Sequence, residues 1–110
     1  MNTCILYLYR DACNYKMYNE VIINGILSPG QINSILDCLD DGEYFIPSQV
    51  GLPEQRFGSI TEDDHCWFEL NREGFNLSTG ISTIDITPYE LVNKFMKAKD
   101  NWNDDIMSFM

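Results

Sequence analysis

The chain has 110 residues, the length of one domain with one hydrophobic core. No apolar run approaches the roughly 20 residues that span a bilayer, and the first residues lack the basic segment and cleavage site of a signal peptide. We therefore expect a single domain over residues 1–110, located in the cytoplasm and not in a membrane. The four cysteines have no C-x-x-C spacing, which favours reduced thiols that behave as small apolar residues.

The net charge of −10 is distributed unevenly along the chain. Residues 37–73 carry ten carboxylates and two arginines, a balance of −8, which leaves −2 for all other residues. Proteins bind phosphates with Lys and Arg, so this balance argues against direct binding of nucleic acid. The clustered carboxylates either serve solubility or form a surface for a basic partner protein.

The first part of the chain predicts an antiparallel hairpin. Residues 4–9 (CILYLY) are apolar at both alternating sets of positions, which indicates a central strand buried on both faces. Residues 15–24 alternate between apolar and polar side chains, as a second strand does. The Asp and Asn residues between the two segments are typical of a turn.

Two helix starts share one pattern of capping residues. Ser28 and Thr87 are each followed by proline, and Gln31 and Glu90 stand three residues after them, as in a capping box. Apolar residues follow each start at helical spacing: Ile32, Ile35, Leu36 and Leu39 in the first helix, and Leu91, Val92, Phe95, Met96 and Trp102 in the second.

The end of the first helix departs from the usual pattern of charges. Gly42 is the predicted C′ residue. Asp37, Asp40 and Asp41 crowd this end, although the helix dipole favours cations there. The misplaced carboxylates are either neutral drift or stability given up for a functional acidic surface.

The remaining segments complete a mixed fold. The predicted elements are a strand at 43–46, a long connection at 48–64, a strand at 65–70, a polar turn region at 71–80, a short edge strand at 81–86 and a packed tail at 103–110. The order β-β-α-β-β-(β)-α predicts an α+β fold. We expect a mostly antiparallel sheet of four to five strands, with the two helices on one face.

His65 is the only histidine and the centre of an alternative hypothesis, a small metal-dependent or His/Cys-based enzyme. Adjacent residues of a strand point to opposite faces, so His65 and Cys66 do not readily share an ion, whereas Asp63 and His65 can lie on one face. Two ligands are too few to predict a metal, and we predict no cofactor. Cys13, Cys38 or Cys66 could pair with His65 as a nucleophile, but no local signature supports a catalytic assignment.

Two blocks of sequence resemble a family of small, uncharacterised acidic proteins of bacteria and phages. The first block is YRD followed by NYK in residues 9–16, and the second is DGEYFIPSQVGLP in residues 41–53, followed by EDDH and Trp67. The resemblance covers roughly residues 7–70 and implies no activity. Phe68 stands where a second histidine would be expected, so a His-x-x-His metal pair, if that family uses one, is incomplete here.

The leading hypothesis is a non-catalytic inhibitor of a basic, nucleic-acid-handling protein. Carboxylates on a fixed scaffold can substitute for phosphates, and CRISPR effectors hold Arg and Lys in their nucleic-acid channels. By analogy of size and charge, the class is that of anti-CRISPR or other phage anti-defence proteins acting in a bacterial host cell. A housekeeping or immunity-type adaptor is a further alternative. The predicted partner-binding residues are Asp40, Asp41, Glu43, Glu62, Asp63 and Asp64, with Tyr44 and Trp67 as aromatic anchors.

Overall fold

A computed structural model describes residues 1–10, 15–54 and 67–103 of the chain. These residues form a five-stranded antiparallel sheet and two α-helices, which confirms the predicted α+β class. No helix among them is long and apolar enough to cross a membrane. The elements are β1 (Asn2–Arg10), β2 (Lys16–Ile23), α1 (Pro29–Asp37), β3 (Tyr44–Phe45), β4 (Phe68–Glu69), β5 (Phe75–Ser78) and α2 (Pro88–Ala98).

Strand β1 is the centre of the sheet and pairs with three other strands. One of its edges pairs with β2 along the whole length, from Thr3 opposite Ile23 to Arg10 opposite Lys16. The other edge is shared, because β5 pairs with the first half of β1 and β4 pairs with the second half. Strand β3 then pairs with β4 on the outside.

A short 3-10 turn, Arg72–Gly74, separates β4 from β5. On β1, two residues separate the part that pairs with β5 from the part that pairs with β4. On the opposite side, five residues separate β4 from β5. The turn accommodates this excess. Gly74 permits it, because a Cβ atom added at Gly74 would lie 2.4 Å from the carbonyl oxygen of Leu6.

The two helices cover one face of the sheet and leave the other open. Ile5, Tyr7 and Tyr9 of β1 are buried, and they share the core with Ile35 of α1, Leu91 and Phe95 of α2 and other apolar residues. On the opposite face of β1, Leu6 is 37% exposed. The prediction that β1 is buried on both faces was therefore wrong. Its even-numbered residues form part of the open face.

The fifth strand lies at a different place from the one that the sequence predicts. Strand β5 falls within the predicted polar turn region, and residues 81–86 form no strand. The backbone N–H of Thr83 donates to the carbonyl of Ile22 (2.8 Å), and the N–H of Ile22 donates to the Thr83 hydroxyl (2.9 Å). The N–H of Asn24 donates to the carbonyl of Ile86 (2.9 Å). Residues 83–86 therefore cover only the last part of β2. They do not form a regular ladder of backbone hydrogen bonds, because the Thr83 side chain supplies one of the acceptors.

Both predicted helix starts are confirmed. The Ser28 hydroxyl accepts from the N–H of Gln31 (3.1 Å), and the Gln31 side chain accepts from the N–H of Ser28 (2.9 Å), which completes the capping box. The Thr87 hydroxyl accepts from the N–H of Glu90 (3.3 Å). In α2 the apolar stripe is narrower than predicted, since Met96 is 60% exposed and Trp102 lies beyond the end of the helix.

These caps give a testable prediction for stability. We expect Ser28→Ala and Thr87→Ala each to lower the free energy of unfolding by about 1 kcal/mol, because each leaves a helix-terminal N–H without its acceptor. Urea unfolding followed by circular dichroism measures the change. Ser82→Ala, which removes a hydroxyl group outside both helices, is the control. Capping variants as stable as this control would contradict the assignment.

Candidate functional site

The segment between α1 and β3 forms a tight turn that presents several carboxylates. The N–H of Asp40 donates to the carbonyl of Tyr44 (2.7 Å), and the N–H groups of Tyr44 and Glu43 donate to the carbonyl of Asp40 (2.9 and 3.1 Å). Asp41 and Gly42 have φ angles of 53° and 72°, as the two central residues of a type I′ turn do. These hydrogen bonds thus hold the backbone from Asp40 to Tyr44 in one conformation.

The assignment of Gly42 as the helix C′ residue was wrong. Helix α1 ends at Asp37, and Cys38 is its C-cap with a right-handed conformation. Gly42 instead supplies the second positive φ of the type I′ turn. Asp41 occupies the first such position, where Asp is tolerated because its short polar side chain fits the left-handed region.

We define the acidic turn as Asp37, Asp40, Asp41 and Glu43. All four side chains are exposed, and within the part of the chain that the structure describes none of them forms an ion pair. The last turn of α1 contains no basic residue, so the negative end of its dipole adds to the carboxylates. Lys99 lies close enough to Cys38, the C-cap of α1, to act on it electrostatically.

The acidic turn brings together some of the predicted partner-binding residues. Asp40, Asp41 and Glu43 lie within it, and Tyr44 follows directly as the first residue of β3. Tyr44 is half-buried and pairs with Glu69 of β4, so its position is fixed by the sheet. The predicted residues Glu62, Asp63 and Asp64 lie outside the described residues.

Trp67 is neither a fully buried core residue nor a freely exposed one. It is half-buried, and its ring packs edge-on against Trp102 with 6.4 Å between the ring centroids. The Trp102 indole N–H donates to the carbonyl of Cys38 (3.1 Å), the residue that caps α1. The tryptophan pair is therefore attached to the same end of α1 from which the acidic turn begins.

The open face of the sheet holds a group of residues that the sequence did not predict. The Arg10 guanidinium donates to both carboxylate oxygens of Glu69, through Nε (2.9 Å) and Nη2 (3.4 Å). This hydrogen bond and the negative charge of Glu69 raise the pKa of Arg10. A cavity of about 320 Å³ lies against this pair.

The sequence prediction does not include Arg10 and Glu69, because it places both faces of β1 in the core. The available signal was Arg10 itself, which ends the alternating series that begins at Cys4 on β1. A charged residue in that series indicates a face in contact with solvent. No pattern in the sequence indicates that Glu69, far along the chain, is its partner.

The enzyme hypothesis gains no site within the described residues. They contain no group of three or more His, Cys, Asp or Glu side chains that could hold a metal ion. Burial raises the pKa of the Cys38 thiol, which donates to the carbonyl of Ser34 (3.2 Å), so Cys38 remains protonated at neutral pH and is a poor nucleophile. His65, Cys13 and Cys66 lie outside the described residues, and the hypothesis centred on His65 stays a prediction.

Comparisons with known proteins found no matching family model, no matching curated protein and no matching solved structure.

Proposed function

We propose that the protein is a non-catalytic binding protein whose acidic turn engages a basic surface of a partner protein. The observation that carries the proposal is the combination of four exposed carboxylates, without an ion pair among the described residues, and a turn fixed by backbone hydrogen bonds. The partner class we propose is a nucleic-acid-handling protein such as a CRISPR effector, which the protein inhibits by occupying phosphate-binding Arg and Lys.

The rigidity of the turn supports a role in recognition. Ordering a flexible loop on binding costs free energy, and a turn that is already ordered avoids most of that cost. The N–H of Leu70 also donates to the carbonyl of Glu43 (3.0 Å), which attaches the turn to the segment after β4. The backbone of Asp40, Asp41 and Glu43 is therefore held in place, so that their carboxylates start from fixed points, as phosphates do along a nucleic-acid backbone.

The half-buried aromatic residues beside the turn supply a second kind of contact. Tyr44 is fixed by strand pairing, and Trp67 is fixed by the Trp102 ring. Rigid aromatic side chains next to a charged rim are frequent hot spots of protein–protein interfaces. In the proposed complex the carboxylates direct the encounter, and the two rings contribute to the lifetime of the complex.

The proposal predicts the effect of reversing charge in the turn. We expect Asp40→Lys with Glu43→Lys to weaken binding to a CRISPR effector at least about tenfold, because attractive pairs become repulsive. Asp41→Asn is the suitable third change, because Asn tolerates the positive φ of this position, whereas Lys would be strained there. Biolayer interferometry with the purified effector at two salt concentrations gives the association and dissociation rates.

The control is Glu73→Lys with Asp85→Lys, which changes the net charge equally at exposed residues away from the turn. Raising the salt concentration should slow the association of the wild-type protein far more than it speeds dissociation, because exposed charges are screened beyond about 8 Å at physiological ionic strength. Equal loss of affinity in both double variants would show that only net charge matters. Unchanged affinity in the turn variant would exclude the acidic turn.

A further inference from the structure

Strand β2 is an outer strand of the sheet, and within residues 1–10, 15–54 and 67–103 no segment pairs with the first part of its outer edge. The N–H and carbonyl of Ile22 both bond to Thr83, so the backbone groups of Ile22 point away from β1. Backbone direction alternates along a strand, so the backbone groups of Lys16, Tyr18 and Glu20 also point outwards. Thr83 and Ile86 cover this edge only from Ile22 onwards.

The uncovered part of β2 is a suitable surface for strand addition. No hydrogen bond joins the outward N–H or carbonyl groups of Tyr18 and Glu20 to the described chain. An outer strand with such unsatisfied groups is a template for pairing with another strand. The other outer strands, β3 and β5, have only two and four residues, so β2 offers the longest continuous edge.

The side chains along this edge are complementary to themselves in reverse order. Lys16, Tyr18 and Glu20 all lie on the open face of the sheet and all three are exposed, with Tyr18 exposed to 66%. When two copies of β2 pair antiparallel about Tyr18, Lys16 of each copy lies opposite Glu20 of the other. Tyr18 then lies opposite its own counterpart on the two-fold axis.

Other symmetric registers fit this edge less well. A shift of the centre to Met17 places Lys16 opposite Tyr18, and a shift to Asn19 places Glu20 opposite Tyr18. The second shift also brings Lys16 against Ile22, whose edge Thr83 already occupies. Only pairing about Tyr18 matches opposite charges and stays within the uncovered residues. Each of the three pairs would exchange two backbone hydrogen bonds.

From this edge we infer that two copies of the chain associate through β2 to form a symmetric dimer. The two sheets join into one continuous sheet, with both open faces on the same side. Opposite charges directly across an antiparallel pair are stabilising and like charges are destabilising, which fixes the register of the two strands. The inference does not depend on the proposed binding of a basic partner, because the acidic turn lies on other residues.

Analytical ultracentrifugation over a range of concentrations tests the dimer. The wild-type protein should show a dimer population that rises with concentration. Lys16→Glu and Glu20→Lys should each weaken the dimer about tenfold, because each creates two pairs of like charges. An equimolar mixture of the two variants should restore the dimer, since every Lys then faces a Glu across the interface. The double variant that exchanges both charges should also dimerise.

Tyr18→Pro tests the backbone contribution. It removes an N–H that points away from β1, so β1 and β2 keep the hydrogen bonds between them. The circular dichroism spectrum should therefore be retained, whereas the dimer should be lost. Lys97→Glu, an exposed charge reversal on α2, should leave the dimer intact. A wild-type protein that stays monomeric at a concentration on the order of 1 mM would overturn the inference. So would a dimer that neither single reversal weakens.

Discussion

Phe68→Ala is expected to lower the free energy of unfolding by about 3–5 kcal/mol, which is the usual cost of removing a fully buried aromatic ring. Phe68 has no exposed surface, and its described ring contacts have centroid distances of 5.1 Å to Tyr9, 6.0 Å to Tyr7 and 6.5 Å to Phe45. Domains of this kind have a total stability of about 5–15 kcal/mol, so the variant should be close to unfolding.

This variant should also disturb the candidate site. Phe68 belongs to β4, which holds β3 to β1, and Tyr44 of β3 fixes one side of the acidic turn. Urea unfolding monitored by circular dichroism measures the loss of stability. Leu77→Ala is the matched control, because Leu77 is 63% exposed on β5 and should change the stability by no more than about 0.5 kcal/mol. Equal stability of the two variants would contradict the packing around Phe68.

Gly74→Ala is expected to have the second largest effect, a loss of about 1–3 kcal/mol. The added methyl group would lie 2.4 Å from the carbonyl oxygen of Leu6, which belongs to the backbone of β1. A flexible side chain could move aside, but β1 is paired on both edges and cannot. The 3-10 turn must shift instead, which pulls β4 and β5 out of register with β1.

Gly30→Ala is the control for this glycine effect. Gly30 lies in the first turn of α1, and an added Cβ there would meet no atom nearer than 3.9 Å. Alanine is the better helix former by roughly 0.5–1 kcal/mol, so this variant should be as stable as the wild type or more stable. Thermal melts of the two variants would therefore move in opposite directions. Parallel shifts would show that Gly74 does not approach Leu6 closely.

The helix starts and the first hairpin could be predicted because their signals are local. Ser28 and Gln31 stand three residues apart in the chain and bond to each other, so the sequence alone contains both partners. The fifth strand could not be predicted in this way. Phe75–Ser78 has only two apolar and two polar residues, too few for a clear pattern, and it becomes a strand because it pairs with Asn2–Ile5, far away in the sequence.

The candidate site shows the same division between local and long-range structure. Asp40, Asp41 and Glu43 were predicted together because they are nearly consecutive, and a tight turn keeps neighbouring residues close. Arg10 and Glu69 were not, since their ion pair depends on the pairing of β1 with β4. The burial of β1 on one face only depends on where both helices pack, and an apolar run such as residues 4–9 carries no information about that.

The shared edge of β1 has a consequence for the order of folding. The hairpin of β1 and β2 needs only nearby residues and can form early, whereas the second edge of β1 waits for Phe68–Glu69 and Phe75–Ser78. Closing so long a loop is entropically costly, and contacts of high sequence separation make folding slow. During that interval the early hairpin exposes two sheet edges and the apolar faces of Ile5 and Tyr7. The nascent chain is therefore most prone to aggregation before residue 78 has joined the sheet.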